Sequence, residues 1–182
     1  MIFGDRIRLR AIEREDIPRF VTWFNDPDVR HYLGHILPMS AAQETSWYEG
    51  MITRDPYERP MAIEVRTPEG WQIIGNIGLM NFNWVSRHAE VGLVIGEKEF
   101  WNQGYGTEVM GLMLRFAFHT LNLNRVYLRV DARNKRGIRA YEKAGYVLEG
   151  RLRQDCYLDG EYGDTLLMGV LRSEWAAQRP GE

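Results

Sequence analysis

Three strand-like runs, "MAIEVR" (61–66), "WQIIGNIGLMNF" (71–82) and "AEVGLVIG" (89–96), follow one another across only the short polar breaks "TPEG" and "NWVSRH". Parallel neighbours need a crossover of a dozen or more residues, so links this short make the three an antiparallel meander. The rest of the chain has to pack around it. "IRLRAI" (7–12) reads as an alternating strand, and "EDIPRFVTWFN" (15–25) places Ile17, Phe20, Val21 and Phe24 on one helical face behind Asp16 as N-cap. Ser40 and Gln43 have capping-box spacing and open a second helix that runs through Trp47 and Met51. After the meander, Val109, Leu112, Met113 and Phe116 form the stripe of a helix from Gly106 to about Leu121, and "RVYLRV" (125–130) is a short buried strand. "NKRGIRAYEKAGY" (134–146) is a helix closed by Gly145. "LRQDCYL" and "YGDTLLMGVL" flank Asp159-Gly160, a hairpin signal.

The resulting order is β-α-α-βββ-α-β-α-ββ, a mixed α/β fold with a central, mostly antiparallel sheet of about seven strands and about four helices on its faces. No repeat, low-complexity tract or linker divides it, so residues 1–182 are expected to form a single domain. With 23 basic against 25 acidic residues there is no global field for nucleic acid, and an anionic ligand must be held locally. The one cysteine, Cys156, rules out an internal disulfide and points to a reducing compartment. The N-terminal "MIFGDRIRLR" lacks an apolar targeting core and no stretch approaches a membrane span, so the expectation is a cytoplasmic protein without a membrane partner.

Between the meander and the long helix lies "WNQGYGTEVM" (101–110), with Gly104 and Gly106 at the mouth of the helix. Unpaired N–H groups and the positive end of the helix dipole gather there, which suits a phosphate or pyrophosphate. The alternative is a loop that only needs positive φ at two places. A dinucleotide fold would require a third glycine and a parallel sheet, and a nucleotide P-loop would require Gly-Lys-Ser/Thr; neither pattern is met. Arg133, Lys135, Arg136 and Arg139 fall within seven residues further on, enough cation for a second phosphate, and Asn134 between them suits a ligand arm that contains amides. Coenzyme A has this anatomy: a pyrophosphate, a ribose 3′-phosphate and a pantetheine arm with two amides.

From about Asp5 to Trp175 the chain resembles the GNAT family of acetyl-CoA-dependent N-acetyltransferases, in particular the branch with ribosomal-protein N-terminal acetyltransferases and spermidine acetyltransferases. "WNQGYG" is similar to the family's pyrophosphate loop, Arg/Gln-x-x-Gly-x-Gly/Ala, with Trp101 in the Arg/Gln place. "NDPDVRHYL", "AEVGLVI", "N…AYEKAGY" and the "LDGEYGD" hairpin are also similar to that branch. The resemblance implies acetyl-CoA as co-substrate, with its pyrophosphate on Trp101, Asn102, Gln103, Gly104, Tyr105, Gly106 and Thr107. It also implies a sheet splayed at the cofactor site, with Leu93, Val94 and Ile95 pairing with pantetheine. Asn134, Arg136 and Arg139 complete the expected cofactor contacts.

Amide formation sets two further demands. An alkyl amine is almost wholly protonated at pH 7, and exposing its lone pair costs about 4 to 5 kcal/mol. The thiolate leaving group is helped by a proton donor. Tyr141 matches the tyrosine that the resemblance assigns to that acid role; the residues alone favour a core aromatic on a helix face, and the motif reverses that. Glu90, a carboxylate inside an apolar strand and in phase with Gly92 and Val94, is the candidate base through water, against the alternative of a strand-end salt bridge with Arg87 or another arginine. Glu149 is the reserve.

His31 and His35 lack a third ligand, so no metal is expected. His88 and His119 read as turn and helix-surface residues, and Cys156 as a strand thiol. Trp23, Trp47 and Trp84 could line a core, an acceptor pocket or a homodimer face. "YLGHILPM" (32–39) is apolar where spermidine acetyltransferases carry glutamates, which weakens that particular substrate. The expected activity is direct acetyl transfer to a primary amine of a small molecule or a peptide N-terminus; the alternative is a noncatalytic acyl-CoA-binding sensor of the same fold.

Overall fold

The computed structural model describes residues 1–34 and 37–178. Contacts divide the chain into two compact units, Met1–Leu79 with Leu93–Tyr105, and Met80–Gly92 with the chain from Gly106 onward. The eight strands follow the order β1-β2-β3-β4-β5-β6-β8-β7, with β1 at Ile2–Phe3, β2 at Ile7–Ala11, β3 at Met61–Thr67, β4 at Gly70–Asn83, β5 at His88–Ile95, β6 at Arg125–Asp131, β7 at Val147–Leu158 and β8 at Glu161–Leu171.

In the first unit, β2 and β3 pair antiparallel with Ile7 opposite Val65 and Leu9 opposite Ile63. Ile7, Leu9, Ile63 and Val65 are all fully buried on one face. The period of two sends Arg8, Arg10 and Glu64 to the other face, where both arginines hold the Glu64 carboxylate. Helix α1 (Ile17–Asn25) and helix α3 (Ala41–Met51) flank the short α2 (Pro27–Arg30). Ile17, Phe20 and Trp23 of α1 meet Met51, Ala62 and Ile73 in the core, with Trp47, Val94 and Trp101 packed against it. Ser40 and Gln43 close the expected capping box on α3, each side chain bonded to the other's backbone N–H. Asp16 stands before α1 but makes no side-chain cap. Its carboxylate is taken instead by Arg10, in a bidentate pair at 2.7 and 2.8 Å, and by the Glu13 N–H at 2.8 Å, which closes the turn ahead of α1.

In the second unit, helix α4 (Tyr105–Arg115) buries every residue from Val109 to Leu114. The expected helix does extend toward Leu121, but as a single π-helical turn over Phe116–Thr120, with the Leu121 N–H reaching Phe116 O at 3.1 Å. Strand β6 buries Val126, Leu128 and Val130. It pairs antiparallel with β8 along its length. Its parallel ladder with β5 runs over His88–Glu90 and Arg125–Tyr127 and stops there, although β5 continues through Val91 and Gly92 and β6 through Leu128 and Arg129. Asp159 and Gly160 turn the β7–β8 hairpin with φ of 53° and 84°, the consecutive left-handed pair of a type I′ turn.

Helix α5 (Lys135–Lys143) ends at Gly145, as its spacing predicts. Gly145 has φ 101°, its N–H bonds Glu142 O, and the N–H of Tyr146 bonds Tyr141 O, both at 3.0 Å. These are the two bonds of a Schellman cap. Strand β1, α2 and a C-terminal helix α6 (Arg172–Ala177) add to the expected elements and bring the strand count to eight. Among the described residues, no helix is long and apolar enough to cross a membrane.

Candidate active site

The loop 102–104 takes two left-handed residues, Asn102 at φ 60° and Gly104 at φ 85°. The second special position expected at Gly106 therefore falls on Asn102 instead, while Gly106 is already inside the first turn of α4. The first N–H groups of a helix have no partner within it, so this turn presents donors to whatever lies before it. Arg6, which lies 97 residues earlier in the chain, holds the loop. Its Nη1 donates to Gln103 O at 3.3 Å, and its guanidinium carbon lies 4.3 Å from the centre of the Tyr105 ring. A Cβ added to Gly104 would sit 3.5 Å from Arg6 Nη2. The Gln103 side chain bonds back to Glu99 O, and Tyr105 packs edge-on against Phe100.

Leu93, Val94 and Ile95 are half-buried at the end of β5. A Cβ at Gly75 would overlap the Val94 carbonyl oxygen, so that carbonyl lies against β4. The Ile95 carbonyl accepts from Trp101 Nε1 at 2.8 Å. The indole in the motif's Arg/Gln place thus bonds toward the strand. Gly96 is a site of close approach, since a Cβ there would enter the Trp23 ring.

In the second unit, Thr107 Oγ1 donates to Ala140 O at 3.4 Å, tying the first turn of α4 to α5. Asn134 is the N-cap of α5, and its Oδ1 accepts from the Gly137 N–H at 2.9 Å. One acceptor lone pair is therefore committed to the helix, and the amide NH₂ and the second lone pair remain for a ligand arm. Lys135, Arg136 and Arg139 are exposed. Arg133 is drawn away from that group to Asp131, with Nη2–Oδ2 at 2.6 Å, and holds the Asp131 carboxyl down at about 2. The Cys156 thiol donates to the same carboxylate at 3.2 Å; burial and that anion push its pKa up, so it is a poor nucleophile.

Tyr141 lies on the last turn of α5, and its ring centre is 6.2 Å from that of Tyr146. This pair is the side-chain contact that accompanies a Schellman cap. Burial raises the Tyr141 phenol above its ordinary value, and the charge of Arg136 opposes the shift. Tyr146 is sealed at 2% exposure, with a hydroxyl that has no hydrogen-bond partner. Burial raises its phenol well beyond the usual range.

Glu90 is held by neutral donors. Asn81 Nδ2 reaches Glu90 Oε2 at 2.8 Å, and the Tyr127 hydroxyl hydrogen-bonds it from the facing position on β6. The alternative of a salt bridge with Arg87 is not what forms. Glu149, by contrast, is paired with Arg125 through two guanidinium donors, Nε to Oε1 at 3.1 Å and Nη2 to Oε2, in the space that Gly169 leaves open on β8. Its charge is neutralised. The neighbouring arginines have their own carboxylates, Arg129 with Asp155 and Arg151 with Asp164. Arg6 and Tyr127 escaped the sequence reading because their partners are distant in the chain, and only the in-phase pairing of β5 with β6 could have pointed to Tyr127. Asn81 is nine residues from Glu90 across the expected meander turn, and that pairing was the signal for it. His35 of the His31–His35 pair lies outside the described residues.

The model for the acetyltransferase (GNAT) domain matches residues 6–147. Spermidine N(1)-acetyltransferase of Escherichia coli (strain K12) is 29% identical over 178 residues, covering 97% of this chain and 92% of that protein. The prophage-derived N-acetyltransferase YokL of Bacillus subtilis (strain 168) is 30% identical over 173 residues, covering 94% and 93%. Among solved structures, spermidine N-acetyltransferase from Vibrio cholerae in complex with CoA and spermine superposes with a TM-score of 0.85 at 27% identity, over 94% of this chain and 99% of that one. With its domain model, its relatives and its fold in agreement, the chain belongs to the GNAT acetyltransferase family.

Proposed function

We propose that this acetyltransferase moves an acetyl group from acetyl-CoA directly to a primary amine, acting in the cytoplasm as one N-acetyltransferase domain. The observation that carries the reading is the setting of Glu90. A carboxylate held by the neutral donors Asn81 and Tyr127, with no ion pair to it among the described residues, is open to an incoming ammonium. Through a bridging water it can then accept the amine's proton.

Acetyl-CoA is the donor, its pyrophosphate on the backbone of residues 102–107 and its 3′-phosphate near Arg136 and Arg139. The amine lone pair attacks the thioester carbon, the new N–C bond forms and the C–S bond breaks. Glu90 relays the ammonium's first proton through water to solvent before the attack. The proton the nitrogen sheds as the amide forms returns through water to Tyr141, which has given its own to the departing thiolate. A phenol raised by burial stays protonated until that thiolate forms. The free Cys156 fits a reducing compartment.

The acceptor is a small primary amine. The names of the relatives make spermidine the first to test, with a peptide N-terminus in the same panel. Purified protein is mixed with acetyl-CoA and each amine, and free thiol is followed. Amine-dependent thiol release is the expected result. Tight acetyl-CoA binding with no turnover across the panel would favour the noncatalytic sensor.

A further inference from the structure

Arg6 belongs to no sequence motif, yet its guanidinium meets three consecutive residues of the proposed phosphate loop: the Gln103 carbonyl, the α-carbon side of Gly104 and the face of Tyr105. Trp101, where the family pattern has a polar side chain, sends its only donor to Ile95 O. The loop therefore receives its side-chain cation from the residue just ahead of β2 rather than from its own first position.

A trans peptide is planar, with its C=O and N–H pointing in opposite directions, and no cis peptide occurs in the described chain. Fixing the Gln103 carbonyl on Arg6 therefore fixes the Gly104 N–H on the opposite side, facing away from the guanidinium. Gly104 holds the left-handed φ of 85°, which sets the direction in which the chain leaves this peptide. The same guanidinium stacks on Tyr105, the first residue of the helix, and so pins loop and helix start as one piece. A carbonyl drawn to a cation also leaves its peptide more strongly polarised, which strengthens the N–H as an anion donor.

We propose that Arg6 is a positioning residue for the acetyl-CoA pyrophosphate: by anchoring the Gln103 carbonyl and the Tyr105 ring it aims the Gly104 N–H at the phosphate. This rests on the phosphate-loop reading above. Arg6 acts through the peptide and need not touch the ligand.

The test measures binding of CoA, dephospho-CoA and pantetheine to the wild-type chain and to Arg6→Gln, Arg6→Lys and Arg136→Ala, with the melting temperature of each ligand-free variant as folding control. Arg6→Gln is expected to weaken CoA and dephospho-CoA equally, by about 10-fold for one well-aimed charge-assisted hydrogen bond, and to leave pantetheine unchanged. Arg6→Lys restores part of the loss, because an ammonium can still hold the carbonyl but cannot stack as a plane on Tyr105. Arg136→Ala shows the other pattern, losing CoA more than dephospho-CoA. If the wild-type chain binds CoA no better than pantetheine, the phosphate-loop reading itself fails. If the wild type prefers CoA and Arg6→Gln keeps that preference, or loses all three ligands in parallel, Arg6 does not aim the loop.

Discussion

Tyr141 and Tyr146 sit on either side of one helix cap, with ring centres 6.2 Å apart, and burial raises both phenols. They differ in what their hydroxyls can reach. Tyr146 is closed into the core with an unpartnered hydroxyl, a cost the fold carries locally. Tyr141 is half-buried, within the field of Arg136. Depth alone therefore does not make an acid; a phenol must be dry enough to stay protonated and open enough to meet a thiolate. Glu90 and Glu149 differ in a similar way: neutral donors hold the first, and Arg125 forms an ion pair with the second.

The largest effect is expected from exchanging the two phenols one at a time. Tyr141→Phe should lower kcat about 10²- to 10⁴-fold, the usual contribution of general acid catalysis, and leave acetyl-CoA affinity nearly unchanged. Tyr146→Phe removes only a hydroxyl without a partner, so kcat should stay within a few-fold and the melting temperature should hold or rise. Steady-state kinetics with matched thermal melts would read both, and a kcat loss shared equally by the two variants would erase the contrast.

For the carboxylates, Glu90→Gln should reduce kcat about 10²-fold, the low end of the acid–base range for a proton passed through water. Glu149→Gln should leave kcat within a few-fold and instead destabilise the β6–β7 region by freeing Arg125. A kcat loss confined to Glu149→Gln would reverse the assignment.

A third contrast uses two glycines of nearly equal φ, Gly104 at 85° and Gly160 at 84°. Alanine at either should cost about 1 kcal/mol of stability for a left-handed Cβ, since neither position is crowded. Only Gly104→Ala should also shrink the rise in melting temperature on adding CoA.

The smallest effect concerns Glu44, buried on α3 with one oxygen lacking a hydrogen bond. Burial raises its carboxyl pKa, so the folded chain binds this proton more tightly than the unfolded chain does. Its stabilising contribution is present below the ordinary carboxylate range and is lost as pH rises through the raised value. Glu44→Gln should flatten that slope, a change of about 1 kcal/mol or less, measurable as melting temperature against pH.

What the sequence disclosed follows the range of each interaction. The Ser40–Gln43 box, the Gly145 cap and the Asp159-Gly160 turn close within a few residues, and all three stand where their spacing predicts. Asp16 does not cap α1 because its carboxylate serves the turn before the helix, accepting from Arg10 six residues earlier and from the Glu13 N–H, a competition that residue spacing alone does not show. Arg133 was counted with the phosphate cations, although Asp131, only two residues away, claims it. The β6 pairing that faces Tyr127 to Glu90 is parallel and long-range, and the contact of Arg6 with the loop spans 97 residues. No local pattern carries either. The acid role proposed for Tyr141 rests on the motif "AYEKAGY", because helix periodicity cannot distinguish a packed phenol from a donating one.

The most direct test of the account is the leaving-group dependence of Tyr141→Phe. Wild type and variant are compared in single turnover with acetyl-CoA and with an aryl thioester of acetate, whose thiolate is a weaker base. The account predicts that the variant's deficit, about 10²-fold or more with acetyl-CoA, shrinks sharply with the aryl donor, because a stable anion needs little protonation. An equal deficit with both donors, or none with acetyl-CoA, would show that Tyr141 packs and does not donate.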